Sequence, residues 1–277
     1  MSPTAMTRIK RFTTPQRLFH IVLMISFLIQ AATGLARMYI ETRWGQQIAY
    51  LFGGYDAART VHIYIGLLML AGFLIHVIYL LVKLNWRRPV DELTGPDSLL
   101  PRPADVKHFF QHVGWFVGMR KAPEFDRWGY WEKFDYWAVF WGMVIIGFTG
   151  VMLAFPLATS RNLPGWSLNV AFWVHRIEAL LAIGHVFIIH FFIGHLRKLN
   201  FPMDRAMFEG SVDLTYTRME RPAWIHRLEE DGVMDGLLVH EAAPGRRVVS
   251  YVFGFIALAA GIYLLVGALV NVRLITW

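Results

Sequence analysis

The chain has 277 residues, 56% of them hydrophobic, with a mean hydropathy of +0.41; this excludes an ordinary soluble domain and points to an integral membrane protein. The formal charge is +7, but the basic residues stand between apolar runs, as membrane topology requires, and do not form the footprint of a nucleic-acid binder. Cysteine is absent, which excludes a protein-bound iron–sulfur cluster, covalent haem attachment and disulfides.

Five apolar segments follow one another along the chain, at about 17–37, 60–83, 136–156, 170–196 and 249–270, each long enough for a transmembrane helix. The first follows a basic tail, as the core of a signal peptide would. Leu18 to Ala36 is longer than such a core, however, and no small-x-small cleavage site follows, so it reads as a retained span. The N-terminal tail carries four Lys or Arg, the 83–135 connection nine and the 197–247 connection eight, against three, one and one in the remaining connections and tail. The positive-inside rule therefore predicts a cytoplasmic N-terminus, two long cytoplasmic connections and an external C-terminus.

The second connection begins with a stretch rich in Pro and charge that predicts irregular backbone. Val106, Phe109, Phe110, Val113, Phe116 and Val117 then recur at helical spacing, which predicts an amphipathic helix at the membrane surface. His108 and His112 stand at i, i+4 on it. With no third ligand in view they read as a solvated polar face rather than a metal pair. The 197–247 connection, with its mixed charge, reads as a cytoplasmic surface segment, and the fifth span is plain.

The fourth span carries most of the chemistry. Residues 171–198, AFWVHRIEALLAIGHVFIIHFFIGHLRK, contain His175, His185, His190 and His195. Ionisable groups inside a span are costly and mark function. A rise of 1.5 Å per residue puts His175 and His190 roughly 22 Å apart, one in each leaflet. Two buried imidazoles at two depths predict two b-type haems, each held between facing histidines.

The outer pair is His62 with His175. For the inner position His190 has two possible partners, His20 at the start of the first span and His76 on the second. The 14-residue step from His62 to His76 nearly matches the 15-residue step from His175 to His190, which favours His76 on depth. His185 falls between the two depths and reads as a core or hydrogen-bonding residue. His195 reads as interfacial, near a haem propionate or a quinone. His226 and His240 lie outside the spans.

Gly34, Gly66, Gly147 and Gly150 allow a helix or a flat ring to come close. Arg17, Arg37, Arg59 and Arg176 stand at span ends, where a propionate or a lipid headgroup would pair with them. Residues 127–137, RWGYWEKFDYW, set aromatic rings beside charge at the entry to the third span. The rings, Tyr130 among them, with Glu132, Lys133 and Asp135 read as a quinone slot near the inner haem position, weighed evenly against an ordinary aromatic belt.

These residues resemble the cytochrome b (gamma) subunit of membrane-bound respiratory formate dehydrogenases and the wider cytochrome b group of Ni–Fe hydrogenases. The likeness rests on Arg17, His20 and Thr33–Leu35 in the first span, His62 with Gly66 in the second and His175, His185 and His190 in the fourth. Glu209–Val212 and Pro222–Trp224 extend it. It implies an all-α integral membrane bundle, a four-helix di-haem core with a fifth transmembrane helix added. Residues 1–230 are the di-haem domain, with the cytoplasmic connection at 84–135, and 231–277 a cytoplasmic segment and the additional helix.

The resemblance implies iron ligation by His62 with His175 and by His20 with His190. It also implies a menaquinone or ubiquinone site beside His190 and the Tyr130–Asp135 region. The expected setting is the bacterial inner membrane. There the chain would be an electron-transfer subunit rather than an enzyme on its own, paired with an extracytoplasmic iron–sulfur or multihaem cytochrome subunit. The alternative is a membrane anchor that carries no electrons, which leaves the buried histidines unexplained.

Three departures from the family pattern stand out. The fourth-span spacing is 15 where the family usually has 14, which predicts a local bulge or a rotated ligand. His76 is additional, and Gly129 and Trp131 replace the family's Asn and Gly. The fifth span is also extra and is expected to contact a partner subunit.

Overall fold

The computed structural model describes residues 6–198 and 200–275. Five of its helices are long and apolar enough to cross a membrane: Thr14–Met38, Tyr55–Lys83, Tyr130–Ala154, Trp166–Leu196 and Pro244–Val270. They form the predicted helical bundle, and Leu68, Ile75, Ile78, Phe148 and Leu181 are exposed on its outer faces, as side chains against lipid should be.

Local chemistry explains where the spans begin. Thr13 caps the first, accepting from the Gln16 amide while Gln16 returns a bond to the Thr13 amide, with Pro15 in the opening turn. The third span starts at Tyr130, earlier than its apolar run, because the Glu132 carboxylate accepts from the Gly129 amide at 2.8 Å and closes the first turn. The aromatic and charged stretch is thus the span's own first turns. In the fourth span α-helix runs to Gly184, after which His185–His190 and Phe192–Leu196 wind as π-helix. The predicted bulge is there: a π-turn absorbs one extra residue without breaking the helix.

A small sheet, absent from the sequence reading, gathers one end of the bundle. Strand β1 (Arg8–Lys10) lies between β2 (Ser211–Asp213) and β3 (Leu238–Val239), antiparallel to both. Strands this short have no readable periodicity. They hold because Ile9, fully buried, packs on Trp224, Ile225, Leu228 and Met234. Gly210 enters β2 at φ +84°, a conformation that favours glycine, and its carbonyl accepts from the amides of Arg11 and Phe12.

Ion pairs tie the second connection to the same end. Arg11 and Arg221 both hold Glu132, at 2.7 and 2.9 Å, and Arg227 pairs with Asp97 and Asp126 at 3.0 and 2.7 Å. The N-terminal segment and the two long basic connections therefore share one end, here called the basic end. Burial disfavours ionisation of Asp97, but Arg227 and Arg127 outweigh it and hold its carboxyl below the usual carboxylate range. A depressed folded-state pKa contributes stability above the unfolded value and loses it as pH falls through the folded one. Acidification below the ordinary carboxylate range is therefore expected to loosen the connection around Asp97. Limited proteolysis within residues 84–129 as a function of pH would detect it, and cleavage that is insensitive to acid would contradict it.

The helix Pro103–Phe116 is amphipathic as predicted, but its sides are used differently. Val106, Phe109, Phe110, Val113 and Phe116 are exposed. The face bearing Asp105, His108 and His112 is packed on the protein rather than solvated: His112 Nδ1 meets the Tyr130 hydroxyl at 3.1 Å, His108 packs on Phe125, and Asp105 pairs with Lys133. An amphipathic helix at a bilayer surface turns its apolar side to lipid.

The fifth span presents its small-residue face to its own chain. Gly254 opposes Met203, Gly267 opposes Trp44, and Gly261 opposes Phe187 and Phe191 of the π segment. A β-carbon at Gly261 would stand 2.6 Å from Phe191 Cε2 and 2.9 Å from Phe187 Cδ1. Gly261→Leu is therefore expected to cost about 1–3 kcal/mol by overpacking and to lower the thermal aggregation midpoint in detergent. An unchanged midpoint would show that the two helices are not in this contact.

Candidate functional site

The spans enclose a cavity of about 2230 Å³, well above the roughly 300–1,000 Å³ of an ordinary small-molecule pocket. Two imidazole pairs project into it.

At the far end His62 faces His175, with ring centroids 6.2 Å apart. Each ring is seated the same way by the preceding span. Thr33 donates its hydroxyl hydrogen to the Ile29 carbonyl at 2.7 Å, so Oγ1 accepts from His62 Nδ1 at 2.9 Å. Thr149 donates to Ile145 at 2.7 Å, and His175 Nδ1 lies 3.2 Å from its Oγ1 and 3.1 Å from the Ile146 carbonyl. Because a carbonyl only accepts, the hydrogen is assigned to Nδ1 and the Nε2 lone pair is left for a metal. The glycine that follows each threonine completes the seat. A β-carbon at Gly34 would lie 3.3 Å from His62 Cε1, and one at Gly150 3.1 Å from His175 Cε1.

Gly34 and Gly150 stand out in the sequence as close-approach glycines, but the bond from a histidine to the threonine before each was missed. Its signal was the recurrence of Thr–Gly in the first and third spans, each followed by a histidine on the next. Gly66 also lines the cavity, but the space beside its α-carbon is taken. Gln30 fills it, donating to the His62 carbonyl at 2.7 Å.

At the basic end the ring facing His190 is His20, with centroids 6.4 Å apart. His76 is turned elsewhere: its Nε2 meets the Tyr136 hydroxyl at 3.0 Å and its ring packs on Phe19 and Phe140. Matching depth brought His76 to the right level, and the helix azimuth took it to another neighbour. His190 Nδ1 lies 3.2 Å from Asp135 Oδ2, and His185 Nε2 lies 2.9 Å from Asp135 Oδ1. His185 is thus a hydrogen-bonding residue, as expected, and His195 packs against His190 with centroids 6.2 Å apart.

Of the predicted quinone residues, Asp135 and His190 come together. Tyr130 is bound to His112, Glu132 is held between Arg11 and Arg221, and Lys133 is buried against Asp105. Trp131 lies between the guanidinium groups of Arg197 and Arg221, 5.7 and 5.4 Å from its ring. Burial pushes the Arg221 guanidinium down to about 10, with Glu132 opposing the shift. Burial also raises the Asp204 carboxyl, at the same end of the cavity.

The pairs fit haem. Two imidazole–metal bonds of about 2 Å, with about 1.2 Å from nitrogen to ring centre, separate two axial rings by about 6.4 Å, which matches both pairs. The buried Nε of Arg37 lacks a protein partner, as a group beside a propionate-bearing ring would. Arg59 and Arg176 also line the cavity, Arg176 with its guanidinium over the Phe172 ring, whereas Arg17 is tied to the Phe208 carbonyl. Among the described residues no group of three or more His, Cys, Asp or Glu converges as a protein chelate would. Axial ligation asks the protein for only two.

The model of the family described as prokaryotic cytochrome b561 matches residues 11–210. The chain is similar to the formate dehydrogenase cytochrome b556 subunit of Haemophilus influenzae, 24% identical over 231 residues that cover 81% of this chain and 87% of the relative. It is also similar to the formate dehydrogenase cytochrome b556(fdo) subunit of Escherichia coli K12, 22% identical over 223 residues that cover 80% of this chain and 94% of the relative.

Proposed function

The chain belongs to the prokaryotic cytochrome b561 family, and on that premise we propose that it carries electrons across a bacterial inner membrane between an extracytoplasmic redox partner and the quinone pool, through two b-type haems. The observation that carries this reading is the presence of two facing imidazole pairs at two depths, His62 with His175 and His20 with His190, at centroid spacings of 6.2 and 6.4 Å.

A haem supplies one-electron redox chemistry at each position. The residues of the chain do the rest. Thr33, Thr149 and Gly150 fix the tautomer and orientation of the far-end pair, and the aromatic and aliphatic lining keeps water away. At the basic end Asp135 and His190 stand where a menaquinone or ubiquinone headgroup would meet both electrons and protons.

The clustering of Lys and Arg in the N-terminal tail and the two long connections supports a cytoplasmic basic end. That orientation puts His62 and His175 next to the external partner, an iron–sulfur or multihaem cytochrome subunit. The names of both relatives support a formate dehydrogenase as the type of complex.

A pyridine haemochrome assay on the purified protein tests the reading. Two haem b per chain are expected. None, in folded protein, would overturn the proposal and leave a membrane anchor.

A further inference from the structure

We propose that Asp135 is a positioning residue for the basic-end haem, clamping His190 to His185 and holding its ring in place with a fixed negative charge; this rests on the reading of His190 as a haem ligand. In α-helix, residues five apart point about 140° away from each other at 3.6 residues per turn, and one carboxylate cannot reach both. Here His185–His190 is a π-turn, whose i→i+5 closure stacks the first residue over the last. Asp135, from the neighbouring span, then bonds both rings, Oδ1 to His185 Nε2 at 2.9 Å and Oδ2 to His190 Nδ1 at 3.2 Å.

The extra residue between His175 and His190 is therefore what makes the clamp possible. Phe134 closes it from outside, its ring packed edge-on to His185 with centroids 5.4 Å apart. At the far end the hydrogen of His175 Nδ1 goes to the Thr149 hydroxyl and the Ile146 carbonyl, where the basic end uses a carboxylate. A carboxylate behind an axial imidazole makes the ring a stronger donor and favours the oxidised metal. The clamp thus sets the basic-end haem at a lower potential than a neutral acceptor would.

The test is an equilibrium redox titration of the purified full-length protein, followed by haem b absorption, with electron paramagnetic resonance of the oxidised haems. Asp135→Asn should raise the basic-end potential by about 59 mV for each tenfold loss of preference for the oxidised form and shift that haem's resonance, leaving the far-end haem unchanged. His185→Phe removes the second donor and leaves the carboxylate's charge on His190 alone, so it should shift the same haem by less and in the opposite direction, and Asp135→Glu should restore most of the original value. If Asp135→Asn costs the protein that haem, His185→Phe decides alone. Unchanged potentials and resonances with both haems present would overturn the clamp. A His190→Ala protein that keeps both haems would instead overturn the ligand assignment beneath it.

Discussion

Replacing His175 by alanine is expected to halve the haem b content, from two per chain to one, and to remove the far-end absorption component while the other persists. His175 and His62 come from different spans, and each ring is held by its own Thr–Gly seat. Loss of one imidazole leaves the other with a correct tautomer but no partner across the ring plane. The basic-end pair shares the first and fourth helices with this site and lies roughly 20 Å away along the fourth. His190→Ala should give the complementary loss. Haemochrome stoichiometry and low-temperature difference spectra would measure both, and simultaneous loss of both haems from folded His175→Ala protein would contradict the pairing.

The second large effect is expected at Lys133. Its side chain is 1% exposed and its ammonium lies 2.8 Å from Asp105. This buried pair staples the surface helix to the third span. Lys133→Met would strand the carboxylate and is expected to cost about 3–5 kcal/mol. Asp105 also accepts from the Arg102 amide at 2.6 Å, capping its own helix. The double variant Lys133→Met, Asp105→Asn should therefore recover much of the loss, because the amide keeps the cap without the charge. Thermal unfolding of the two variants would show the difference. Equal destabilisation would mean that packing of the Lys133 stem, and not its charge, holds the helix.

Much of this was legible in the residues. His62 and His175 pair across the cavity as their positions near the starts of two inward-running spans predict. The family pattern, rather than depth, pointed to the partner that faces His190: His76 stands at the right level, yet its ring goes to Tyr136. Glu132 and Lys133 looked like proton-exchanging groups because they are charged beside aromatic rings. In the fold they are structural ion pairs, and only Asp135 turns to the histidines. His108 and His112 were read as a water-facing side, because an amphipathic pattern names two faces without saying which medium each meets.

What the sequence determined by itself was everything governed by distance along the chain. A bilayer demands about 20 apolar residues per helix, so the spans could be counted, and a fixed rise per residue assigned every histidine a depth. Basic residues gathered in alternate connections sorted the two ends. Tertiary structure alone decided what depends on azimuth and contact: which ring faces which, the two Thr–Gly seats, the three-stranded closure of the N-terminus and the meeting of His185 and His190 on one carboxylate. Rotation about a helix axis is set by packing against neighbours. A single inserted residue, taken up as a π-turn, redirects the side chains beyond it while leaving their depth nearly the same.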